Sequence, residues 1–191
     1  MTYAERAACY AQAFPRYPPL ACHTSAEGKE WVYGIWEIGN NYKSRSQYYG
    51  EYPRGYVERV QALFPDMDPA RTLQLFSGSY RSGICVDKGL LLTPTVVAEA
   101  ERLPFRDQSF DFCMADPPYS PHDAKVYGYG YPNKRLVLRE LARVIRPGGH
   151  VVFLDIPKPM YRKAEWRLWG EIGVLRSINH RGRFAFLFER L

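Results

Sequence analysis

The chain reads as an α/β protein built on a doubly wound, mostly parallel sheet. Three observations predict this. Four short apolar runs have the length of buried strands: TLQLF at 72–76, ICVD at 84–87, SFDFCMAD at 109–116 and HVVFLDI at 150–156. NKRLVLRELARVI at 133–145 places apolar residues at helical spacing, and RPGG stops it. Strands and helices alternate along the chain, the mark of a parallel sheet, and in such sheets ligands sit beyond the carboxyl ends of the strands.

The elements follow in order. YAERAACYAQAF, residues 3–14, predicts a short helix that FPRYPPL breaks. WVYGIWEI at 31–38 is a strand or a packed aromatic segment. GNNYKSRSQYYGEYPRG, residues 39–55, reads as loop, and YVERVQALF at 56–64 has helical spacing that PDMDP ends. After residue 72 come the first two short strands, TLQLF and ICVD. Only seven residues separate Phe76 from Ile84. That is short of the dozen or so that a crossover between parallel neighbours needs, so either the crossover helix is deleted or the strands are not ordinary neighbours. YRKAEWRLWGEI at 161–172 predicts a further helix. GVLRSI and RFAFLFER, joined by NHRG, predict a closing antiparallel hairpin that adds an edge strand. The chain is expected to form one domain, with an aromatic and basic extension at 1–71 and the catalytic core at 72–191.

Composition narrows the class. With 191 residues, 46% hydrophobic and 24% charged, the chain is long enough for a full core. A net charge of +6 with 15 tyrosines suits a polyanionic partner, although many proteins with small substrates are equally basic. Cys9, Cys22, Cys85 and Cys113 form no CxxC pair, so no metal site is expected, and Cys85 and Cys113 sit in apolar runs as small hydrophobes. No signal peptide or long apolar run is evident, so a soluble, cytoplasmic protein without membrane contact is expected.

The chemistry gathers at the strand ends. Phe76-Ser77-Gly78-Ser79 follows the first strand, where Gly78 permits a tight turn and close approach to a ligand, or simply a turn. Asp87 ends the second strand, where an acid can accept both hydroxyls of a ribose or cap a turn. Asp116 ends the third and opens Asp116-Pro117-Pro118-Tyr119. Consecutive prolines forbid helix and ladder bonding and hold the preceding residues extended. The segment is therefore a stiff exit that fixes one carboxylate, two carbonyls and one ring.

Together these residues resemble the class I S-adenosylmethionine-dependent methyltransferases, and within them the DPPY amino-methyltransferases that include adenine-N6 DNA methyltransferases. LQLFSGS matches the first cofactor motif, VD the ribose acid, AERLPFRDQSFDFCMADPPYS the run into the catalytic motif, and RELARVIRPGGHVVFLD the helix and strand after it. The lead-in YYGEYPRGYVERVQALFP and the late NHR are similar to small phage or mobile-element enzymes. The resemblance implies a Rossmann-like core with S-adenosylmethionine as cofactor. It implies catalysis by Asp116, Pro117, Pro118 and Tyr119. It implies cofactor contacts from Phe76, Ser77, Gly78, Ser79, Asp87, Glu99, Ala100 and Asp116. Two departures stand out: Ser79-Tyr80 replaces the family's later glycine, and Glu99 occupies a position more often Asp.

An exocyclic base amine is a poor nucleophile because its lone pair is delocalised. Acceptors on its two N–H groups favour the tetrahedral geometry needed for attack and stabilise developing positive charge. Asp116 and the Pro117 carbonyl are the expected acceptors, and Tyr119 the stacking ring. The base must be flipped out or single-stranded. Tyr49, Tyr127, Tyr129, Asn179, His180 and Arg181 are the expected substrate contacts. Tyr42, Tyr48, Tyr52 and Tyr56 either stack bases or pack over the sheet, and the YGYGY loop at 127–131 is expected to be a flap. The expected partner is nucleic acid, DNA before RNA. With little room for a large recognition region, low sequence specificity, short sites, a homodimer or a substrate other than duplex DNA is expected. The alternatives are the same chemistry on RNA, cytosine N4 or guanine N2, or an impaired subunit that only binds nucleic acid.

Overall fold

The computed structural model describes residues 1–39, 52–176 and 182–191. Tyr42, Tyr48, Tyr49, Asn179, His180 and Arg181 lie outside them.

The first helix, α1 (Tyr3–Ala13), starts at a capping box in which Thr2 Oγ1 accepts from the Glu5 N–H and the Glu5 carboxylate accepts from the Thr2 N–H. β1 (Ala21–Thr24) and β2 (Glu30–Ile38) form an antiparallel hairpin. α2 (Tyr56–Leu63) precedes β3 (Thr72–Leu75), β4 (Ile84–Asp87) and the two-residue β5 (Val96–Val97). β6 (Phe110–Ala115) leads through the double proline to α3 (Pro121–Val126), which Ser120 caps. α4 (Lys134–Val144) feeds β7 (Ile145–Asp155), and β8 (Trp166–Arg176) and β9 (Arg183–Arg190) finish the chain.

All nine strands join one sheet in the order β1-β2-β8-β9-β7-β6-β3-β4-β5. The pairs β3–β4, β3–β6, β4–β5, β6–β7 and β2–β8 are parallel, while β9 runs antiparallel to both β7 and β8. This is the Rossmann-like α/β architecture the sequence predicts, with antiparallel strands added.

Alternation in β7 shows how the two layers are built. Val152 and Leu154 face a core closed by α1, α2, Trp36 and Trp169, whereas Val151 and Phe153 face a core closed by α4, Trp166 and Phe188. Both faces are covered, as a largely parallel sheet requires. Cys85 and Cys113 are buried as the small hydrophobes expected.

Two expectations need correction. Residues 161–172 do not form a helix: from Trp166 onward they are strand β8. Trp166, Trp169 and Ile172 are spaced like one helical stripe, but a register shift between Leu168 and Gly170 inserts a residue and switches the buried parity. Trp166 therefore enters one core while Trp169 and Ile172 enter the other. The C-terminal hairpin does not supply an edge, since β8 and β9 are interior and the edges are β1 and β5. Gly170 is needed there, because a Cβ would sit 2.6 Å from the Val32 carbonyl oxygen of β2. Of the two alternatives for β3 and β4, the deleted crossover helix is the one realised: the strands are parallel neighbours with no helix between them. Each is only four residues long, so an irregular loop can return the chain where a long strand would need a longer connection. Gly83, at φ +79, passes so close under Thr72 that a Cβ would lie 2.8 Å from its carbonyl oxygen.

Candidate functional site

The carboxyl ends of β3, β4, β6 and β7 converge on one end of the sheet, and the loops leaving them carry the polar groups. Phe76, at φ 58, and Gly78, at φ 52, turn the chain sharply after β3. The Ser77 N–H donates to the Val86 carbonyl at 3.2 Å, and the Gly78 N–H donates to Asp87 Oδ2 at 3.0 Å. The other Asp87 oxygen accepts from the Gly89 N–H at 2.9 Å. One carboxylate thus ties the β3 loop to the β4 loop, and each of its oxygens keeps lone pairs for a ligand. Ala100 is buried in the core, and Glu99 is exposed and ion-paired to Lys88 beside Asp87.

Asp116 leaves β6 with its N–H donating to the Leu75 carbonyl at 3.4 Å, so the two motifs are adjacent strand exits. Both proline bonds are trans. The Tyr119 hydroxyl donates to Asp116 Oδ1 at 2.5 Å, and the Arg183 guanidinium lies over the Tyr119 ring, 4.6 Å from its centroid. A base stacking on Tyr119 therefore has the face opposite Arg183. The Tyr131 hydroxyl donates to the Tyr119 carbonyl at 3.4 Å, and the Lys134 ammonium lies 5.0 Å from the Tyr131 ring centroid. Tyr129 reaches the β4 loop, its hydroxyl 3.1 Å from where a Gly89 Cβ would be. The YGYGY segment thus crosses from the motif to the Asp87 loop, with Tyr129 and Tyr131 exposed. Tyr127 caps the end of α3 and is half-buried.

Behind this layer, Asp155 ends β7, fully buried and ion-paired to Lys134 at 2.5 Å. Burial raises the Asp155 carboxyl, and Lys134 opposes that shift. Burial likewise pushes the Asp116 carboxyl up to about 6; Arg183, the Tyr119 hydroxyl and Lys134 oppose the rise, and Asp155 reinforces it. Tyr56 is fully buried and stacks on Tyr52 at 5.6 Å, while Tyr52 meets Tyr80 edge-on and its hydroxyl donates to Gln74 Oε1 at 3.3 Å. Of the two readings of this pair, packing over the sheet is the one realised.

Asp155, Lys134 and Arg183 were not singled out as site residues by sequence. The first carries the same signal as Asp87, an acid closing an apolar run, and would have been found by it. The two cations are brought in by sheet order, which no local pattern records.

Residues 83–153 match the family described as methyltransferase domain. The matched stretch runs from the start of β4 to near the end of β7, so it contains Asp87 and the Asp116 motif. Members of that family use S-adenosylmethionine. The chain is 34% identical over 87 residues to phthiotriol/phenolphthiotriol dimycocerosates methyltransferase 1 of Mycobacterium ulcerans, covering 45% of this chain and 28% of that protein. It is 35% identical over 113 residues to the ubiquinone/menaquinone biosynthesis C-methyltransferase UbiE of Bordetella parapertussis, covering 55% and 39%. The chain thus spans well under half the length of these curated relatives. Among solved structures, TrmN from Thermus thermophilus superposes with a TM-score of 0.53 at 17% identity, over 70% of this chain and 48% of that one. At that identity the likeness establishes the fold. Among the described residues no helix is long and apolar enough to cross a membrane.

Proposed function

We propose that the chain methylates an exocyclic amine of a nucleic-acid base, adenine N6 in DNA first. The observation that carries this reading is the carboxylate of Asp116, held by Tyr119 at the mouth of a strand exit that two prolines stiffen. S-adenosylmethionine would supply an electrophilic sulfonium methyl. Phe76, Ser77, Gly78, Ser79, Asp87, Glu99 and Ala100 are the residues that would hold it, with Asp87 accepting the ribose hydroxyls. The turn of Phe76 and Gly78 and the spare lone pairs of Asp87 fit a nucleoside.

Asp116 and the Pro117 carbonyl accept the two amine hydrogens and draw the nitrogen toward the tetrahedral geometry that attack on such a methyl would require. The proton released from nitrogen passes to Asp116, whose carboxyl at about 6 suits it to receive and then shed that proton near neutral pH. Tyr119 offers its ring face to the base, worth about 1–3 kcal/mol at comparable sites. The YGYGY segment folds over the acceptor.

The test is transfer of tritiated methyl to duplex DNA, single-stranded DNA, RNA, protein and a lipid extract, with nucleoside digestion of the product. N6-methyladenine from DNA is the expected species. Label appearing only in RNA, N4-methylcytosine or N2-methylguanine would keep the amine chemistry and discard the DNA adenine target. A second reading is methyl transfer to an apolar acceptor. The relatives named for phthiotriol/phenolphthiotriol dimycocerosates and for ubiquinone/menaquinone biosynthesis, and the exposure of Leu90 (73%) and Leu91 (97%) beside the Asp87 loop, favour it; label in the lipid fraction alone would establish it. Asp87→Asn is expected to weaken cofactor binding about 10–100-fold by calorimetry, the scale of losing bonds to a charged acceptor. Unchanged affinity would remove Asp87 from the cofactor site.

A further inference from the structure

Away from the strand ends, a cleft of ≈ 130 Å³ runs along the outer face of α4 and against the turn before β8. Arg135 and Arg139 line it four residues apart, which puts both on one face of the helix. Both are exposed, and among the described residues neither has an acidic partner. The nearby acids are already neutralised: Glu165 pairs with Arg162 at 3.1 Å, Glu140 with Arg143 at 2.5 Å and Asp155 with Lys134. The cleft therefore carries about two uncompensated positive charges. Tyr161 supplies a ring at its wall and Leu136 an apolar floor.

Its position links it to the reactive layer. Asn133 and Arg135 flank Lys134, whose ammonium reaches Asp155 at the end of β7 and faces the Tyr131 ring. Tyr131 in turn contacts the catalytic motif through the Tyr119 carbonyl. The residues at the cleft's end of α4 are thus joined through Lys134 and Tyr131 to the Asp116 motif.

We propose that this cleft is the docking track for the phosphodiester backbone of the nucleic acid whose base enters the Asp116 site. The proposal rests on the nucleic-acid reading above. Two unpaired arginines at helical spacing, in a groove deep enough for a phosphate group, match the charge and the spacing tolerance of a backbone. Such contacts set register without reading sequence.

The experiment is fluorescence anisotropy with a fluorescein-labelled DNA duplex of about 20 base pairs, titrated across salt from about 50 to 200 mM. The proteins are the wild type, Arg135→Glu/Arg139→Glu, and the charge-matched Arg16→Glu/Lys29→Glu, which lie after α1 and in the β1–β2 turn, outside the cleft. The cleft variant is expected to bind at least about tenfold more weakly, with the slope of log K against log salt shallower by about two. The control variant should bind within about twofold of wild type. All four substituted residues are exposed, so matching thermal melts will show that the folds are intact. Equal binding by the cleft variant and wild type, an equal loss in both variants, or no binding by wild type would each overturn the proposal. The two readings fail separately: loss of binding in the cleft variant with no N6-methyladenine from wild type refutes only the chemistry. Methylation with an unchanged cleft variant refutes only the track.

Discussion

Asp116→Asn is expected to reduce methyl transfer by about 10²–10³-fold, the scale of removing one preorganised polar group that meets developing charge. Cofactor affinity should stay within about twofold of wild type. The same substitution is expected to stabilise the protein at high pH. Burial raises the Asp116 carboxyl above its usual range, so its contribution to stability is full at low pH and is lost as pH rises through about 6. Wild type therefore carries the cost of a desolvated anion at pH 8. Taken from the shift alone the cost is about 3 kcal/mol, and partial exposure of the residue reduces it to about 1–2 kcal/mol. Asparagine never charges, so its melting temperature should exceed wild type by about 2–6 °C at pH 8 and by less at pH 5. Melts across that range, with a single-turnover assay, check both parts. Retained activity, or a melting difference independent of pH, would remove the charged Asp116 from the account. For wild type the rate should fall as pH drops below about 6, where the acceptor carboxylate becomes neutral.

Asp155→Ala is expected to cost about 3–5 kcal/mol, because it leaves the Lys134 ammonium buried without its partner. Asp155 is fully buried and the Lys134 side chain is 10% exposed, so water cannot take over. The double variant Lys134→Met/Asp155→Leu should recover most of that stability, since well-packed apolar residues often replace a buried pair without loss. The recovery separates the cost of an orphaned charge from the worth of the pair. Chemical denaturation of both variants measures it, and a single variant as stable as wild type would show that the pair is not buried in solution. In the stable double variant the acid limb of the rate profile should move little, because Asp155 raises the Asp116 carboxyl and Lys134 lowers it.

How much of this could be read in advance depends on how local each signal is. β3, β4, β6, β7 and α4 were legible because their information lies within a few residues: an apolar run, a helical stripe, a proline-glycine stop. The Asp116 motif was legible for the same reason, two prolines being a local constraint on the backbone. β8 was misread because one bulge between Leu168 and Gly170 turns an alternating strand into a three-residue spacing. β1 has four residues, none of them buried, so it has no apolar period to find. α3 hid behind its prolines, although Ser120 and Asp123 already spelled a cap three residues apart. Arg183 reaches Tyr119 from a strand more than 60 residues away. Such a contact is written in the order of the sheet and not in any short stretch.

The pairing of β2 with β8 has a temporal side. Val32 finds its parallel partner Gly170 only after more than 130 further residues exist. On the ribosome, the hairpin of β1 and β2 must therefore wait, half its edge unclaimed, until the last strands emerge. Contacts this distant in sequence slow the final closure and prolong exposure of an unpaired edge. The aromatic core under α1, built from Tyr10, Trp36 and Trp169, joins both ends of the chain and should set late in that order. Nascent chains stalled before residue 166 would present β2 as an open template, a natural handle for a chaperone.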